Sequence, residues 1–298
     1  MLTLMLTNAG TAADIGDAAP PLRISEWVHG KAVSLDQLQG KQNCVIVFWE
    51  TGCDACVGSL PRLTELQRKY QPDKVLFLGI SGEAVGVVKP FVEKMGERLD
   101  IAVGLDDDRS TYGSYMTAFG KSVIPHAFLV DKRGKIAWQG HPLAGLETAI
   151  EDLQNGRFDI ETSKRVTDAE RMVQPYFIMA AKGSDDVNAR AMGERILADG
   201  ATNPWLLNNF AWQILTDTRV KVRDRDLALR AAKLAFELTA GRNPAFADTY
   251  ARALFDSGKT EEAVATQKHA IAVCKDSGQR ASLELTLQGY QKSARTTE

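Results

Sequence analysis

The segment FWETGCDACVGSLPRL, residues 48–63, places Cys53 and Cys56 between an apolar run and an amphipathic stretch. The apolar run, NCVIVFW at 43–49, is typical of a strand that is buried on both faces. Residues 54–69 have helical periodicity. The sequence therefore predicts that the two cysteines lie where a buried strand leads into a helix. Three interpretations follow: a redox pair, half of a metal site, or a chance of composition.

The predicted position of the pair favours redox chemistry. Free backbone N–H groups and the helix dipole favour negative charge on a sulfur at the first turn of a helix, so Cys53 can ionise and attack. Cys56, one turn later, is within reach to form an intramolecular disulfide and to release whatever Cys53 has captured. We therefore expect Cys53 to be the nucleophile and Cys56 the resolving cysteine.

Metal binding and peroxide reduction are the main alternatives. A structural zinc site needs four ligands, and no second Cys or His pair with suitable spacing accompanies Cys53 and Cys56. The remaining candidates are Cys44, Cys274, His29, His126, His141 and His269. Peroxiredoxins place a Thr three residues before the reactive cysteine, whereas Glu50 and Cys53 occupy those positions here. We expect no metal and no cofactor, and we expect Cys44 and Cys274 to be buried small hydrophobes.

The sequence around the pair alternates between strand and helix patterns. Further strands are predicted at 74–81, 101–105, 126–131 and 135–140, and further helices at 86–97, 109–118 and 143–155. The turn DKRGK joins the last two strands as an antiparallel hairpin. This order of elements predicts an α/β fold with a mixed sheet flanked by helices.

The second half of the chain is Ala-rich and helical in pattern. Two stretches can be aligned, each opening with Asn-Pro, at 203–204 and at 243–244, which marks a helix start. A looser pair of helices is predicted at 167–181 and 186–198, and SGQRASLELTLQGYQKS reads as a capping helix. The second copy resembles a tetratricopeptide repeat through Tyr250, Ala253, Gly258, Ala263 and Ala270. We predict an all-α domain of stacked helical hairpins, with an ordinary helical bundle as the alternative.

The cysteine segment resembles the active-site segment of thioredoxin-fold thiol:disulfide oxidoreductases, most closely the TlpA/ResA-like branch. The matching residues are Phe48, Trp49, Cys53, Cys56 and Pro61. The segment SVIPHAFLVDKRGKIAWQGHP also resembles that branch, and the resemblance covers about residues 16–155. It implies a thioredoxin fold and a thiol:disulfide exchange activity.

The resemblance also implies roles for residues far from the pair in sequence. Pro125 stands where the family has a cis-proline, so the backbone of Ile124 would face Cys53 and pair with an extended substrate segment. Trp49 is expected to support the site as a packed platform.

The sequence departs from the family pattern at two positions. Gly52 replaces a common Trp, and Val47 stands where thioredoxin has a buried Asp for proton transfer. Proton transfer must then use another group, such as Glu50, Asp54 or a water. Both carboxylates can equally be solvated surface groups. Asp54 also opposes a thiolate beside it and raises the affinity of Cys53 for its proton, which favours a reductant.

Length and composition set the broad class of the protein. The 298 residues are 44% hydrophobic and 25% charged with a formal net charge of -2, which gives no electrostatic reason to bind nucleic acid. No apolar run approaches the roughly 18 residues of a membrane span. We predict a leader or signal-peptide remnant at 1–20, a thioredoxin-like domain at 21–157 and a tetratricopeptide-like domain at 158–298. The family resemblance implies a location outside the cytoplasm, in a bacterial periplasm or envelope.

Two functions are consistent with these features. In the first, the protein reduces disulfides of proteins or peptides, is recharged by an upstream dithiol donor, and binds a protein partner through its helical repeats. In the second, the protein is a redox-inactive scaffold or holdase that binds peptides through the repeats. The first uses the cysteine pair, Pro61 and Pro125, which all stand where the chemistry would need them.

Overall fold

A computed structural model describes residues 13–70, 74–182 and 187–295. The chain divides into two compact units between Lys164 and Arg165. The domain boundaries predicted at 20/21 and 157/158 stay predictions. Of the predicted leader, residues 1–12 lie outside the described residues.

The first unit is built on a six-stranded sheet in the order β1-β4-β3-β2-β5-β6. The strands are β1 Glu26–His29, β2 Asn43–Phe48, β3 Val75–Ser81, β4 Ala102–Leu105, β5 His126–Val130 and β6 Ile136–Gly140. Strands β2, β3 and β4 are parallel, whereas β1, β5 and β6 each run antiparallel to their neighbours. The predicted mixed sheet is therefore confirmed, and β1 is a strand that the sequence pattern did not reveal.

Helices accompany this sheet, and all except the short α1 lie where the periodicity predicts them. They are α1 Leu35–Leu38, α2 Asp54–Tyr70, α3 Val85–Met95, α4 Ser110–Tyr112, which continues as a π-helical turn over Gly113–Thr117, and α5 Leu146–Gln154. Helix α2 runs through Pro61 without ending there. The described part of this unit thus has the α/β architecture expected from the alternating pattern.

The apolar run of β2 is explained by burial on both faces of the sheet. Val45 and Val47 point into a core shared with α2, α3 and α5. Ile46 and Phe48 point into a second core on the other face. Because successive side chains of a strand alternate between faces, a strand covered on both sides needs apolar residues at nearly every position.

Residues 13–20 pack against this sheet. Ile15 is fully buried in the second core. The Gly16 N–H donates to the carbonyl oxygen of Ile136 at 2.8 Å, and Ala18 forms an isolated bridge with Lys135. This part of the predicted leader is therefore folded onto the first unit.

The remaining elements are helices. They are α6 Ile160–Ala180, which contains the division between the units, α7 Val187–Asp199, α8 Pro204–Thr216, α9 Arg225–Leu238, α10 Pro244–Asp256, α11 Thr260–Val273 and α12 Ser277–Arg295. Asn203 and Asn243 cap α8 and α10, each side chain accepting two backbone N–H groups. None of the helices within 13–70, 74–182 and 187–295 has the length and hydropathy needed to cross a membrane.

Candidate active site

The two cysteines lie just beyond the carboxyl end of the central strand β2. Phe48 is the last residue of β2 and Asp54 is the first residue of α2, so Cys53 immediately precedes the helix. Its carbonyl oxygen accepts the N–H of Val57 at 2.9 Å, which begins the helical hydrogen-bond ladder. Cys53 and Cys56 are joined as a disulfide.

The two sulfurs differ in their surroundings. Cys53 is partly exposed, and its Sγ receives the backbone N–H of Cys56 at 3.1 Å. That N–H is one of the unpaired donors of the helix start, and such donors stabilise a thiolate. Cys56 is fully buried in the core with Val47 and Leu60. Only the Cys53 sulfur is therefore placed for contact with another molecule.

A second loop approaches Cys53 from the neighbouring strand. The Ile124–Pro125 peptide bond is cis, as predicted from the family resemblance. The carbonyl oxygen of Ile124 lies 3.8 Å from Cys53 Sγ. Strands β2 and β5 are antiparallel with Phe48 opposite His126, so the start of β5 meets the end of β2. Sheet pairing thus brings together residues that are 71 positions apart.

Trp49 packs behind the cysteine pair. Its side chain is only 1% exposed and shares a core with Cys56, and its ring centroid lies 5.7 Å from that of Phe91. A Cβ added to Gly79 would lie 2.8 Å from Trp49 Nε1, so the absence of a side chain at Gly79 makes room for the indole. Trp49 is therefore fixed between β3 and α3.

The two carboxylates considered for proton transfer have different surroundings. Glu50 accepts a hydrogen bond from Arg109, with 2.6 Å between Oε1 and Nη2, and both side chains are partly exposed. Asp54 is exposed at the first position of α2. Glu50 is thus engaged in an ion pair within the cysteine loop, residues 49–53, while Asp54 faces solvent.

Glu83 is a further residue of this site that the sequence pattern did not reveal. Its carboxylate accepts hydrogen bonds from the backbone N–H of Thr51 at 2.6 Å and from Thr51 Oγ1 at 2.7 Å. Ser81 Oγ donates to the same carboxylate at 3.1 Å. Glu83 follows β3 and Arg109 follows β4. The carboxyl ends of parallel strands meet at the same edge of a sheet, so the position of these residues after their strands is the sequence signal that places them near the cysteine pair.

His126 is buried beside the second loop. Its Nε2 lies 2.6 Å from Gln139 Oε1, and its ring packs on Phe128 at 5.2 Å. Burial lowers the pKa of His126 to about 3, and the charge of Lys121 acts in the same direction. His126 is therefore neutral at physiological pH. Within the described residues, no group of three or more His, Cys, Asp or Glu side chains could hold a metal ion.

Comparison with known proteins identifies the family. The profile of the AhpC/TSA family matches residues 15–139. The thiol-disulfide oxidoreductase ResA of Geobacillus thermodenitrificans is 32% identical over 126 residues, which cover 42% of this chain and 68% of the relative. The chain belongs to the ResA-type thiol-disulfide oxidoreductases. ResA of Bacillus thuringiensis is 31% identical over the same coverage of both chains.

Beyond ResA, Protein FixW of Rhizobium leguminosarum is 24% identical over 187 residues, 60% of this chain and 83% of the relative. A solved structure of a putative thiol:disulfide interchange protein DsbE from Chlorobium tepidum is 23% identical, with a TM-score of 0.39, and covers 49% of this chain and 99% of that one. Membership of the ResA-type family confirms the expected thioredoxin-like fold and thiol-disulfide oxidoreductase activity.

Proposed function

We propose that this ResA-type protein reduces disulfide bonds in protein or peptide substrates, with Cys53 as the attacking cysteine and Cys56 as the resolving one. The observation that carries this proposal is the difference in access between the two sulfurs. Cys53 is partly exposed and lies 3.8 Å from the Ile124 carbonyl oxygen, whereas Cys56 is fully buried. A substrate disulfide can therefore meet Cys53 but not Cys56.

The reaction has two exchange steps. The Cys53 thiolate attacks one sulfur of the substrate disulfide, a mixed disulfide forms, and the other substrate sulfur leaves as a thiolate that takes up a proton. The Cys56 thiolate then attacks the Cys53 sulfur, which releases the second substrate thiolate and leaves the Cys53–Cys56 disulfide. An upstream dithiol donor reduces that disulfide and is itself oxidised.

The surroundings of the pair support specific roles for neighbouring residues. The backbone of Ile124, beside Pro125, is placed to pair with an extended substrate segment next to Cys53. Trp49 supports the cysteine loop through its packing in the core beneath Cys56. The exposed carboxylate of Asp54 disfavours a neighbouring thiolate, which favours a reducing pair.

The direction of electron flow can be measured directly. The reduction potential of the Cys53–Cys56 pair is titrated against a dithiothreitol or glutathione couple and read by tryptophan fluorescence. A value near about -270 mV is expected for a reductase, whereas one near about -120 mV would mark a disulfide donor.

The assignment of roles is tested by insulin reduction with dithiothreitol as the electron source. Cys53→Ser is expected to lose the activity, and Cys56→Ser is expected to accumulate mixed disulfides that are visible by mass spectrometry. Cys274→Ala, which removes a buried thiol of the helical unit, serves as the control and is expected to remain active. Full activity of Cys53→Ser would refute the proposal.

We also propose that the helical unit stacks as tetratricopeptide-like hairpins and binds a protein partner. Its exposed large apolar side chains support this: Ile178, Trp205, Trp212, Leu238 and Leu285. The scaffold or holdase function would use the same surface. In that case a Cys53→Ser/Cys56→Ser variant should bind unfolded peptides as well as the wild type does. Loss of peptide binding in that variant would exclude it. A location outside the cytoplasm is proposed on the family resemblance alone.

A further inference from the structure

Arg109 occupies an unusual backbone conformation next to the cysteine loop. Its φ of 56° is in the left-handed region, which residues other than glycine seldom adopt. The turn is held by Asp106, whose carbonyl oxygen accepts the Arg109 N–H at 3.0 Å. The Asp106 carboxylate also accepts the N–H groups of Thr111 and Tyr112 at 3.0 and 2.7 Å. Strained residues that are fixed this firmly often serve a functional site.

Two contacts of the Arg109 side chain involve residues at the site. Its Nη2 donates to Glu50 Oε1 at 2.6 Å, and its guanidinium carbon lies 4.9 Å from the ring centroid of Tyr112. A Cβ added to Gly82 would lie 3.0 Å from Arg109 Nε, so the absence of a side chain at Gly82 leaves room for the guanidinium. Only a planar group can pair with a carboxylate at its edge while it lies over an aromatic ring.

These two contacts lead to the two loops of the site. Glu50 belongs to the loop that carries Cys53, and its carbonyl oxygen accepts the Cys53 N–H at 3.3 Å. Tyr112 leads to the other loop, because its hydroxyl donates to the carbonyl oxygen of Ser122 at 3.4 Å. Ser122 stands two residues before Ile124. Arg109 therefore contacts the loop of the attacking sulfur directly, through Glu50, and the loop of the substrate-pairing backbone indirectly, through Tyr112.

We propose that Arg109 is a positioning residue that sets the cysteine loop at 49–53 relative to the loop at 121–125, through Glu50 on one side and Tyr112 on the other. This inference rests on the proposed function, in which a protein substrate must contact both loops at once. A small disulfide needs only the Cys53 sulfur. Loss of Arg109 should therefore weaken the use of protein substrates and spare small ones.

The exposed position of Arg109 makes this distinction measurable. Its side chain is 52% exposed, and an ion pair of that kind contributes little to the free energy of unfolding. Substitution should leave the fold intact. Arg68 offers a matched control, since its side chain is 53% exposed and paired with Asp100. It lies near the far end of α2, about 20 Å along the helix from Cys53.

The experiment compares Arg109→Gln, Arg109→Lys and Arg68→Gln in the full chain. Steady-state insulin reduction with dithiothreitol gives KM and kcat, and the pre-reduced protein is mixed with 5,5′-dithiobis(2-nitrobenzoic acid) to give the rate with a small disulfide. For Arg109→Gln we expect KM for insulin to rise about tenfold, with the small-disulfide rate changed by less than about twofold. Arg109→Lys should be intermediate, because Lys can pair with Glu50 but cannot stack its head group on Tyr112.

Each outcome decides between the two proposals. An unchanged KM in Arg109→Gln, or an equal loss with insulin and with the small disulfide, overturns the positioning role while the proposed function stands. A KM effect of the same size in Arg68→Gln also overturns it. A wild-type protein that reduces neither substrate instead contradicts the proposed function.

Discussion

The candidate site of the first unit joins residues that are far apart in sequence, whereas the helix caps and several ion pairs of the helical unit join residues a few positions apart. In the first unit, Thr51 meets Glu83 across 32 positions, Glu50 meets Arg109 across 59, and Cys53 meets Ile124 across 71. In the helical unit, Asn243 caps α10 through the next few residues, and Arg252 pairs with Asp256 one turn away. The first unit therefore depends on its sheet, whereas the second depends on local signals and on packing between neighbouring helices.

This difference predicts how damage spreads in each unit. After a substitution, a sheet core that joins distant segments should lose protection of its backbone amides from hydrogen exchange throughout. A stack of helical hairpins should lose that protection only near the substitution. Hydrogen exchange of backbone amides, resolved by element, measures both.

The largest expected effect is that of Trp49→Ala. Trp49 is 1% exposed, and truncation of a buried aromatic costs about 4 kcal/mol, so amides of β2, β3 and α2 should all exchange faster. Trp212→Ala is the matched control, because Trp212 is 41% exposed and its removal should change stability by less than about 0.5 kcal/mol. Faster exchange confined to the residues next to Trp49 would contradict the view of the sheet as one cooperative core.

A second prediction concerns the pH dependence of the first unit. The pKa of His126 is lowered to about 3 by burial, whereas an unfolded His titrates near about 6.5. The unfolded state therefore binds a proton first as the pH falls, so the stability that neutral His126 provides is complete above pH 6.5 and is lost progressively toward pH 3. Between pH 6.5 and 4 the loss should be about 3 kcal/mol.

His126→Phe tests this prediction because it removes the titrating group and keeps a ring against Phe128. Denaturant unfolding at pH 7 and pH 4 should show a smaller loss of stability in the variant than in the wild type. The slope with pH is the relevant quantity, since the variant can differ in absolute stability. Equal slopes in the two proteins would show that His126 does not titrate in this way.

A third, smaller effect is expected from Ala253→Leu in α10. Ala253 is fully buried, and extra methyl and methylene groups in a packed core cost about 2 kcal/mol. Exchange should accelerate in α10 and the helices that pack on it, with the strands of the first unit unchanged. Ala272→Leu on α11, where the side chain is exposed, is the control. Faster exchange throughout the sheet would contradict the proposal that substitutions in the helical unit act only locally.

The smallest effect is expected from the helix caps. Asn243→Ala removes the side-chain oxygen that accepts the N–H groups of Ala245 and Phe246, at a cost of about 1 kcal/mol. Asn203→Ala should behave alike, since Asn203 accepts two N–H groups at the start of α8. Exchange should increase only in the first turn of each helix. If both variants exchange at wild-type rates, the repeated Asn-Pro pairs do not stabilise these helix starts.

Much of the fold follows from sequence patterns because those patterns are local. The nearly continuous apolar residues at 43–48 predict a strand covered on both faces, and helical periodicity predicts α2. Strand β1 was missed because it is short and only partly buried, so it lacks a period-two pattern. Residues 13–20 carry no strand or helix pattern, and their packing becomes visible only beside the sheet.

The residues of the candidate site also fall into those with a local sequence signal and those placed by tertiary contacts. The pair Cys53 and Cys56 is identified by its spacing and by the strand and helix around it, and Pro125 by its family position. Glu50 and Asp54 could not be distinguished in sequence, because an ion pair with Arg109 depends on how β4 places its following loop. Glu83 carried no motif, although it contacts Thr51 through two hydrogen bonds.

The sequence by itself determined the strands and helices from β2 onward, the cysteine pair and the repeated helix starts, because turns, caps and periodicity act over a few residues. The tertiary structure alone decided which sulfur is accessible, where Ile124 meets Cys53, and that Arg109 is linked to both loops through Glu50 and Tyr112. Those relationships come from strand order and register, in which β2 pairs with both β3 and β5. Pairing of that kind is set by the whole core rather than by any single segment.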